Sequence, residues 1–309
     1  MVPTTTSPWA VLLAGGEGAR LRPLTQRLTG DSRPKQFCPF FGSDTLLDVT
    51  RRRAEMVIHP DRQIVVVTAA HAPYWAPLVR ELLPGRLLVQ PDNRGTAPAI
   101  LLGALTVRHF ADDTPIVVLP SDHDIGDERT FMQSVSQAVE AVTDRRETIV
   151  LLGIEPRDAE TEYGWIEPCP GDDPVIAPIR RFWEKPSPAV ARALLRRGCL
   201  WNSFVMVGWA GAFVDLAAHI VPDLVLALAP VEAALGTRTE EIALARAYAS
   251  LPAVGFSEAV LARASDRLSV MRVKDVGWCD LGNPRRALES ARRRGDSPSW
   301  LAEAASLSA

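Results

Sequence analysis

Of the 34 basic residues in this chain only three are lysines: Lys35, Lys185 and Lys274. A sequence that uses arginine almost everywhere keeps lysine where a compact, flexible point charge is wanted; a general bias toward arginine is the plain alternative. Lys35 lies in Arg33-Pro34-Lys35-Gln36-Phe37, downstream of an apolar run that ends in Ala14-Gly15-Gly16-Glu17-Gly18-Ala19-Arg20. Gly15, Gly16 and Gly18 allow positive φ and close backbone approach, and successive N–H groups in such a loop can cradle phosphate oxygens. Arg20 and Lys35 would add two cations beside that cradle. A tight turn flanked by solvated surface cations accounts for the same residues. The loop is not a P-loop, which would end Gly-Lys-Ser/Thr where Ala19-Arg20-Leu21 stands. It is not a dinucleotide fingerprint either, which needs a third glycine at Leu21.

A second apolar run, residues 116–119, leads into Ser121-Asp122-His123-Asp124. A carboxylate at the end of a buried strand suits Mg²⁺, which takes one or two carboxylates together with phosphate oxygens and water; a turn cap is the other use of Asp there. His123 reads as structural, because Mg²⁺ prefers oxygen. In Asn93-Arg94-Gly95-Thr96-Ala97-Pro98, Thr96 reads as an N-cap with Pro98 in the first turn of the following helix.

These segments require strands that end on one edge of a sheet. Strand-like runs at 9–14, 64–68, 87–90, 116–119 and 148–153 alternate with helix-like stretches at 45–57, 74–83, 97–110 and 128–142. That alternation predicts an α/β fold of Rossmann-like type: a mixed, mainly parallel sheet flanked by helices, with ligands at the strand-end loops. The second half reads as an elaboration of it. Strands are expected at 163–167, 175–183, 203–208 and 268–273, a helix at 188–197, and mostly helical Ala/Leu-rich sequence at 210–250. We expect one domain over 1–283 and a helical, Arg-rich C-terminal tail over 284–309.

A net charge of −3 gives no basic field for nucleic acid. No apolar run is long enough to span a bilayer, and the polar start lacks a secretory pattern. The expectation is a cytoplasmic protein without nucleic-acid or membrane partners, with homo-oligomerisation left open. Cys38, Cys169, Cys199 and Cys279 are too dispersed for a zinc site and read as buried or bystander thiols.

Gly-Gly-x-Gly-x-Arg-Leu-x-Pro-Leu followed by Pro-Lys-Gln-Phe resembles the signature of the sugar-1-phosphate nucleotidyltransferases, and Asn93 to Ala99 is similar to their mannose-1-phosphate guanylyltransferase branch. Three further segments resemble the family in order: 161–167, Phe182-Trp183-Glu184-Lys185-Pro186 and Leu200-Trp201-Asn202-Ser203. A fourth, Gly277-Trp278-Cys279-Asp280-Leu281-Gly282, matches near the end. The resemblance implies that Ala14, Gly15, Gly16, Gly18, Asn93, Gly95 and Thr96 bind a nucleoside triphosphate, GTP by preference. It implies that Arg20 and Lys35 hold its phosphates, and that Lys185 holds the phosphate of a sugar 1-phosphate, favoured as mannose 1-phosphate. It assigns Gly164, Glu184 and Asn202 to the sugar, and Asp122 and Asp280 to Mg²⁺. Ala19 stands where relatives have Thr, Phe204 where they have Gly and Ser257 where many have an acid, and the stretch 25–32 is longer than usual. Since the sequence ends soon after Asn283, the expectation is a chain without the further C-terminal domain of bifunctional relatives. Rival readings are the same chemistry on another hexose or heptose phosphate or with UTP or dTTP, and a catalytically silent sensor of nucleotide sugars.

Overall fold

The computed structural model describes residues 7–170, 173, 175–295 and 300–301. In chain order, β1 (Trp9–Leu13) is followed by α1 (Arg22–Thr29), α2 (Leu46–Ala54), β2 (Gln63–Thr68), the short α3 (Ala72–Trp75), β3 (Leu87–Gln90), α4 (Thr96–Ala111), β4 (Pro115–Pro120), α5 (Glu128–Thr143) and β5 (Ile149–Ile154). The second half adds β6 (Trp165–Pro168), β7 (Ala177–Trp183), α6 (Pro188–Arg196), β8 (Leu200–Trp209), α7 (Ala210–Ile220), α8 (Pro222–Ala234), α9 (Glu240–Ser250), β9 (Leu268–Val273) and α10 (Pro284–Arg294).

The strands form one sheet in the order β3-β2-β1-β4-β8-β5-β9-β7-β6. β1, β2, β3 and β4 run parallel, as do β5 and β9, while β8 is antiparallel to both β4 and β5 and β7 to both β6 and β9. Only β7 and β8 therefore oppose the common direction, and the sheet is mixed and mainly parallel as expected. β2, β4 and β5 are buried along their whole length, which is why they read as unbroken apolar runs rather than alternating ones. α4 packs on β1 and β2 and contacts α7 and α8; α5 packs on β4, β5, β8 and β9 and contacts α2. A Cβ at Gly103 in α4 would lie 2.4 Å from Val11, so glycine sets how closely this helix approaches β1.

β8 positions the second half of the site. Its last residues pair with β4, from Met206 to Trp209, but its first two, Leu200 and Trp201, pair with β6. β8 thus overhangs the C-terminal end of β4 and pairs there with β6, while β7 returns to pair with β9 at Ala177 and Pro178.

One expectation changes. The helix expected over 74–83 is the four-residue α3 followed by a 3-10 segment, Ala76–Arg80. Pro77 has no N–H to continue an α-helical ladder from Pro73. The helix from Pro284 is present, but it packs back on the body. Ala287, Leu288 and Ala291 join Leu21, Leu24, Cys38, Phe40, Leu46, Cys279, Leu281 and Trp300 in a second apolar cluster, separate from the main core.

Candidate active site

The glycine-rich loop leaves β1 between the ends of β2 and β4. Gln36 holds its shape: the side-chain amide donates to the carbonyls of Ala14 at 2.9 Å and Gly16 at 2.8 Å. Gly18 has φ +58 and closes on the backbone of Lys35, where a Cβ would stand 3.2 Å from the Lys35 nitrogen. Beneath the loop, a Cβ at Gly15 would meet the Gln90 amide at 3.0 Å, and Gln90 is fixed by the buried Tyr248 hydroxyl at 2.9 Å. Gly18, Arg20, Lys35, Asp122, Leu281 and Gly282 line one cleft of 260 Å³. Two cations and a carboxylate thus line a common space.

Asn93 bridges two loops, donating to the Gly15 carbonyl at 3.4 Å and accepting from Gly95 N–H at 3.0 Å. Gly95 has φ +84, and a Cβ there would be 2.4 Å from the Val254 carbonyl oxygen, so no other residue fits. The N-cap role expected of Thr96 is corrected. Thr96 is already inside α4, Gly95 takes the cap position, and the Thr96 hydroxyl accepts from Phe256 N–H at 2.8 Å. The helix start is satisfied from afar, with Ala97 N–H donating to the Val254 carbonyl at 3.0 Å.

Asp122 and Asp280 are brought together by a short antiparallel bridge, in which Asp124 and Cys279 exchange backbone hydrogen bonds of 2.8 and 2.9 Å. Lys35 is buried between them. Its ammonium stands 3.3 Å from Asp122 Oδ2 and donates to the carbonyls of Asp280 and Leu281. Asp280 Oδ1 accepts from the Tyr163 hydroxyl at 3.0 Å, Gly282 N–H at 2.9 Å and Arg286 at 3.0 Å. Burial alone would raise the Asp280 carboxyl; the Lys35 and Arg286 charges and the Tyr163 hydroxyl overcome it and hold the group below its ordinary value. Burial pushes the His123 imidazole down, toward its neutral form, and its ring stands edge-on to Trp278 at 5.3 Å.

The two carboxylates suit Mg²⁺ by their chemistry. Asp122 is partly exposed, and among the described residues Asp280 Oδ2 has one hydrogen-bond partner, Arg286 at 3.2 Å. Among the described residues no three His, Cys, Asp or Glu side chains converge as a metal cage. A cation there would complete its shell with phosphate oxygens and water, the habit of Mg²⁺ rather than of structural Zn²⁺.

Gly164, Glu184 and Asn202 also converge. Asn202 N–H donates to the Gly164 carbonyl at 2.8 Å, and a Cβ at Gly164 would lie 3.2 Å from Glu184 Oε2 and 2.7 Å from Phe182. That Glu184 oxygen is buried without a protein hydrogen-bond partner among the described residues, and burial raises the carboxyl, opposed by Lys185. Such an oxygen is ready for an external hydroxyl donor. Lys185 is not drawn into the nucleotide-side cleft. It is largely exposed, has φ +42 and stands 3.7 Å from Glu184 Oε1. Phe204 has φ +61 and its N–H donates to Asn202 Oδ1 at 3.0 Å. A glycine would hold that backbone without strain.

Adjacent residues join the two halves. Tyr163 contacts Asp280, and its successor Gly164 meets Asn202. Tyr163, Trp201 and Trp278 pack with ring centroids 5.1 to 6.5 Å apart. Gln36 and Tyr163 lay inside quoted motifs without an assigned role. Glu162 likewise lies within the 161–167 segment without an assigned role, while Arg286 and Glu160 lie outside every such segment.

The fold and these loops define a nucleotidyl-transfer scaffold, and residues 9–294 match the family model described as nucleotidyl transferase. The chain belongs to that family. It is 32% identical over 290 residues to the xanthan biosynthesis protein XanB of Xanthomonas campestris, covering 92% of this chain and 60% of that protein. It is 32% identical over 296 residues to the mannose-1-phosphate guanylyltransferase ManC of Salmonella typhimurium, covering 92% and 59%. The chain thus spans about 60% of the length of these curated relatives. Among solved structures it resembles that of mannose-1-phosphate geranyltransferase from Thermus thermophilus, with TM-score 0.80 and 30% identity over 94% of this chain and 80% of that one. No described helix is long and apolar enough to cross a membrane.

Proposed function

We propose that this chain transfers a guanylyl group from GTP to mannose 1-phosphate, releasing pyrophosphate and forming GDP-mannose. The sugar-phosphate oxygen attacks the α-phosphorus in line. A new P–O bond forms, the bond to the β-phosphate oxygen breaks, and its electrons leave with pyrophosphate. The attacking oxygen is already ionised, so no side-chain nucleophile or base is required, and catalysis is alignment plus neutralisation of charge.

In this reading the Gly15 to Gly18 backbone, Arg20 and Lys35 bind the triphosphate, and Asn93, Gly95 and Thr96 frame the base. Glu184, Asn202 and Gly164 orient the sugar, with Lys185 at its phosphate. Asp122 and Asp280 would hold Mg²⁺, which when bound neutralises phosphate charge and draws the two substrates together. Substrates of this kind place the reaction in the cytoplasm.

The observation that carries the proposal is the single cleft shared by Gly18, Arg20, Lys35, Asp122 and Gly282, tied through the Tyr163–Asp280 hydrogen bond to the sugar-side trio. The naming of relatives such as ManC supports the choice of GTP and mannose 1-phosphate. Pyrophosphate release measured across nucleoside triphosphates and sugar 1-phosphates tests it. Turnover is expected to be highest with GTP and mannose 1-phosphate, and higher kcat/KM with UTP or dTTP would overturn the guanylyl assignment.

A further inference from the structure

Resting on that functional reading, we propose that Arg286 is a positioning residue: it fixes the orientation of the Asp280 carboxylate and, through Glu162, ties it to Arg20 in the nucleotide cleft. Arg286 is only 4% exposed. A guanidinium at that depth is costly unless opposite charges meet its N–H groups. Nη1 contacts Asp280 Oδ1 and Oδ2 at 3.0 and 3.2 Å, while Nη2 reaches Glu160 Oε2 at 2.6 Å and Glu162 Oε2 at 2.9 Å. The other Glu162 oxygen takes Arg20 at 3.1 Å.

Neighbouring residues are shaped to this arrangement. The Tyr163 ring lies 4.3 Å from the guanidinium carbon, and its hydroxyl holds Asp280. A Cβ at Gly282 would stand 2.6 Å from Asp280 Oδ2 and 2.7 Å from Arg286 Nη1, so only glycine admits the pair. The Asn283 side chain accepts from Arg286 N–H at 3.1 Å and fixes where α10 begins. One cation shared by three carboxylates is more than a stabilising ion pair requires. A planar fork can hold Asp280 on one side and the segment before β6 on the other, which an ammonium cannot.

The test uses Mn²⁺ as the probe, its binding to the substrate-free protein followed by electron paramagnetic resonance, beside steady-state kinetics. Arg286→Met removes a cation about 3 Å from Asp280, so Mn²⁺ should bind about tenfold more tightly. The freed carboxylate is no longer aimed, so kcat should fall roughly a hundredfold. Arg286→Lys keeps the charge without the fork, so Mn²⁺ affinity should stay near wild type while kcat still falls about tenfold. Loss of Mn²⁺ affinity in parallel with kcat in both variants would mean a loosened fold and overturn the proposal, as would a near-normal kcat in Arg286→Met. Should Arg286→Met fail to fold, Glu162→Gln removes the charge that links Arg20 to Arg286 while leaving Asp280 and Glu160 on the Arg286 guanidinium. A raised KM for GTP with unchanged Mn²⁺ binding is then expected, and an unchanged KM contradicts the link. The Mn²⁺ comparison uses no substrate, so absent turnover with GTP and mannose 1-phosphate would count against the functional reading and leave the Arg286–Asp280 coupling to stand or fall separately.

Discussion

The Lys35 ammonium stands 3.3 Å from the Asp122 carboxylate while also donating to the backbone of the Asp280 segment. One lysine therefore joins the Asp122 carboxylate to the Asp280 backbone and lines the cleft assigned to the triphosphate. Lys35→Ala should cost about 2–4 kcal/mol of transition-state stabilisation, roughly tens- to several-hundred-fold in kcat/KM for GTP. Lys185→Ala should act instead on the KM for the sugar phosphate. Lys274, exposed and outside both halves of the site, is the control and should be nearly silent. Kinetics in which Lys35→Ala matches Lys274→Ala would remove Lys35 from phosphate binding.

Phe204 offers a test of backbone strain. At φ +61, alanine keeps the left-handed penalty whereas glycine escapes it, so Phe204→Gly should be more stable than Phe204→Ala by about 1 kcal/mol. Urea unfolding of the pair measures the difference directly. Equal stabilities would mean that residue 204 does not hold a left-handed backbone.

The C-terminal helix makes a third prediction. Trp300 is buried, stands edge-on to Phe40 at 5.7 Å, and its indole donates to the Phe40 carbonyl at 2.8 Å. Trp300→Ala should cost about 3–5 kcal/mol, and removal of residues 284–309 should strip Arg286 from Asp280 and abolish turnover. A truncated chain with unchanged Tm and activity would restore the boundary at 283 as a real one.

Asp31 predicts a pH dependence. The side-chain hydrogen bond from Arg33 is the main cause that lowers its carboxyl to about 2, from an ordinary 3.8. A pKa depressed on folding stabilises above the unfolded value and loses that contribution as pH falls through the folded value. The stability difference between wild type and Asp31→Asn should therefore be constant above about pH 5 and shrink between about pH 4 and 2. Chemical denaturation across that range checks it, and a difference that grows on acidification would contradict the assignment.

The sequence made legible whatever depended on local pattern. β2, β4 and β5 are buried on both faces, so their apolar runs were unbroken. The glycines at 15, 16 and 18 and the carboxylate after β4 followed directly from the loops they occupy. Sequence could not reveal contacts that close over long separations. The Ala97 N–H in the first turn of α4 is met by the Val254 carbonyl, and the Thr96 hydroxyl bonds Phe256 instead, so its capping role was misread. Arg286 was one arginine among many in an Arg-rich helix, and its partners Glu160 and Glu162 lie more than a hundred residues upstream. The proline-broken segment after β2 had helical composition, yet Pro77 lacks the N–H the ladder needed.

The central claim is that Asp122 and Asp280 serve one guanylyl-transfer site. The most direct measurement is pyrophosphate release from GTP and mannose 1-phosphate by wild type, Asp122→Asn and Asp280→Asn at limiting Mg²⁺, with folding verified by circular dichroism. The account predicts robust release by the wild type and loss of most turnover in each folded variant. Near-normal release by either variant, or none by the wild type, would contradict it.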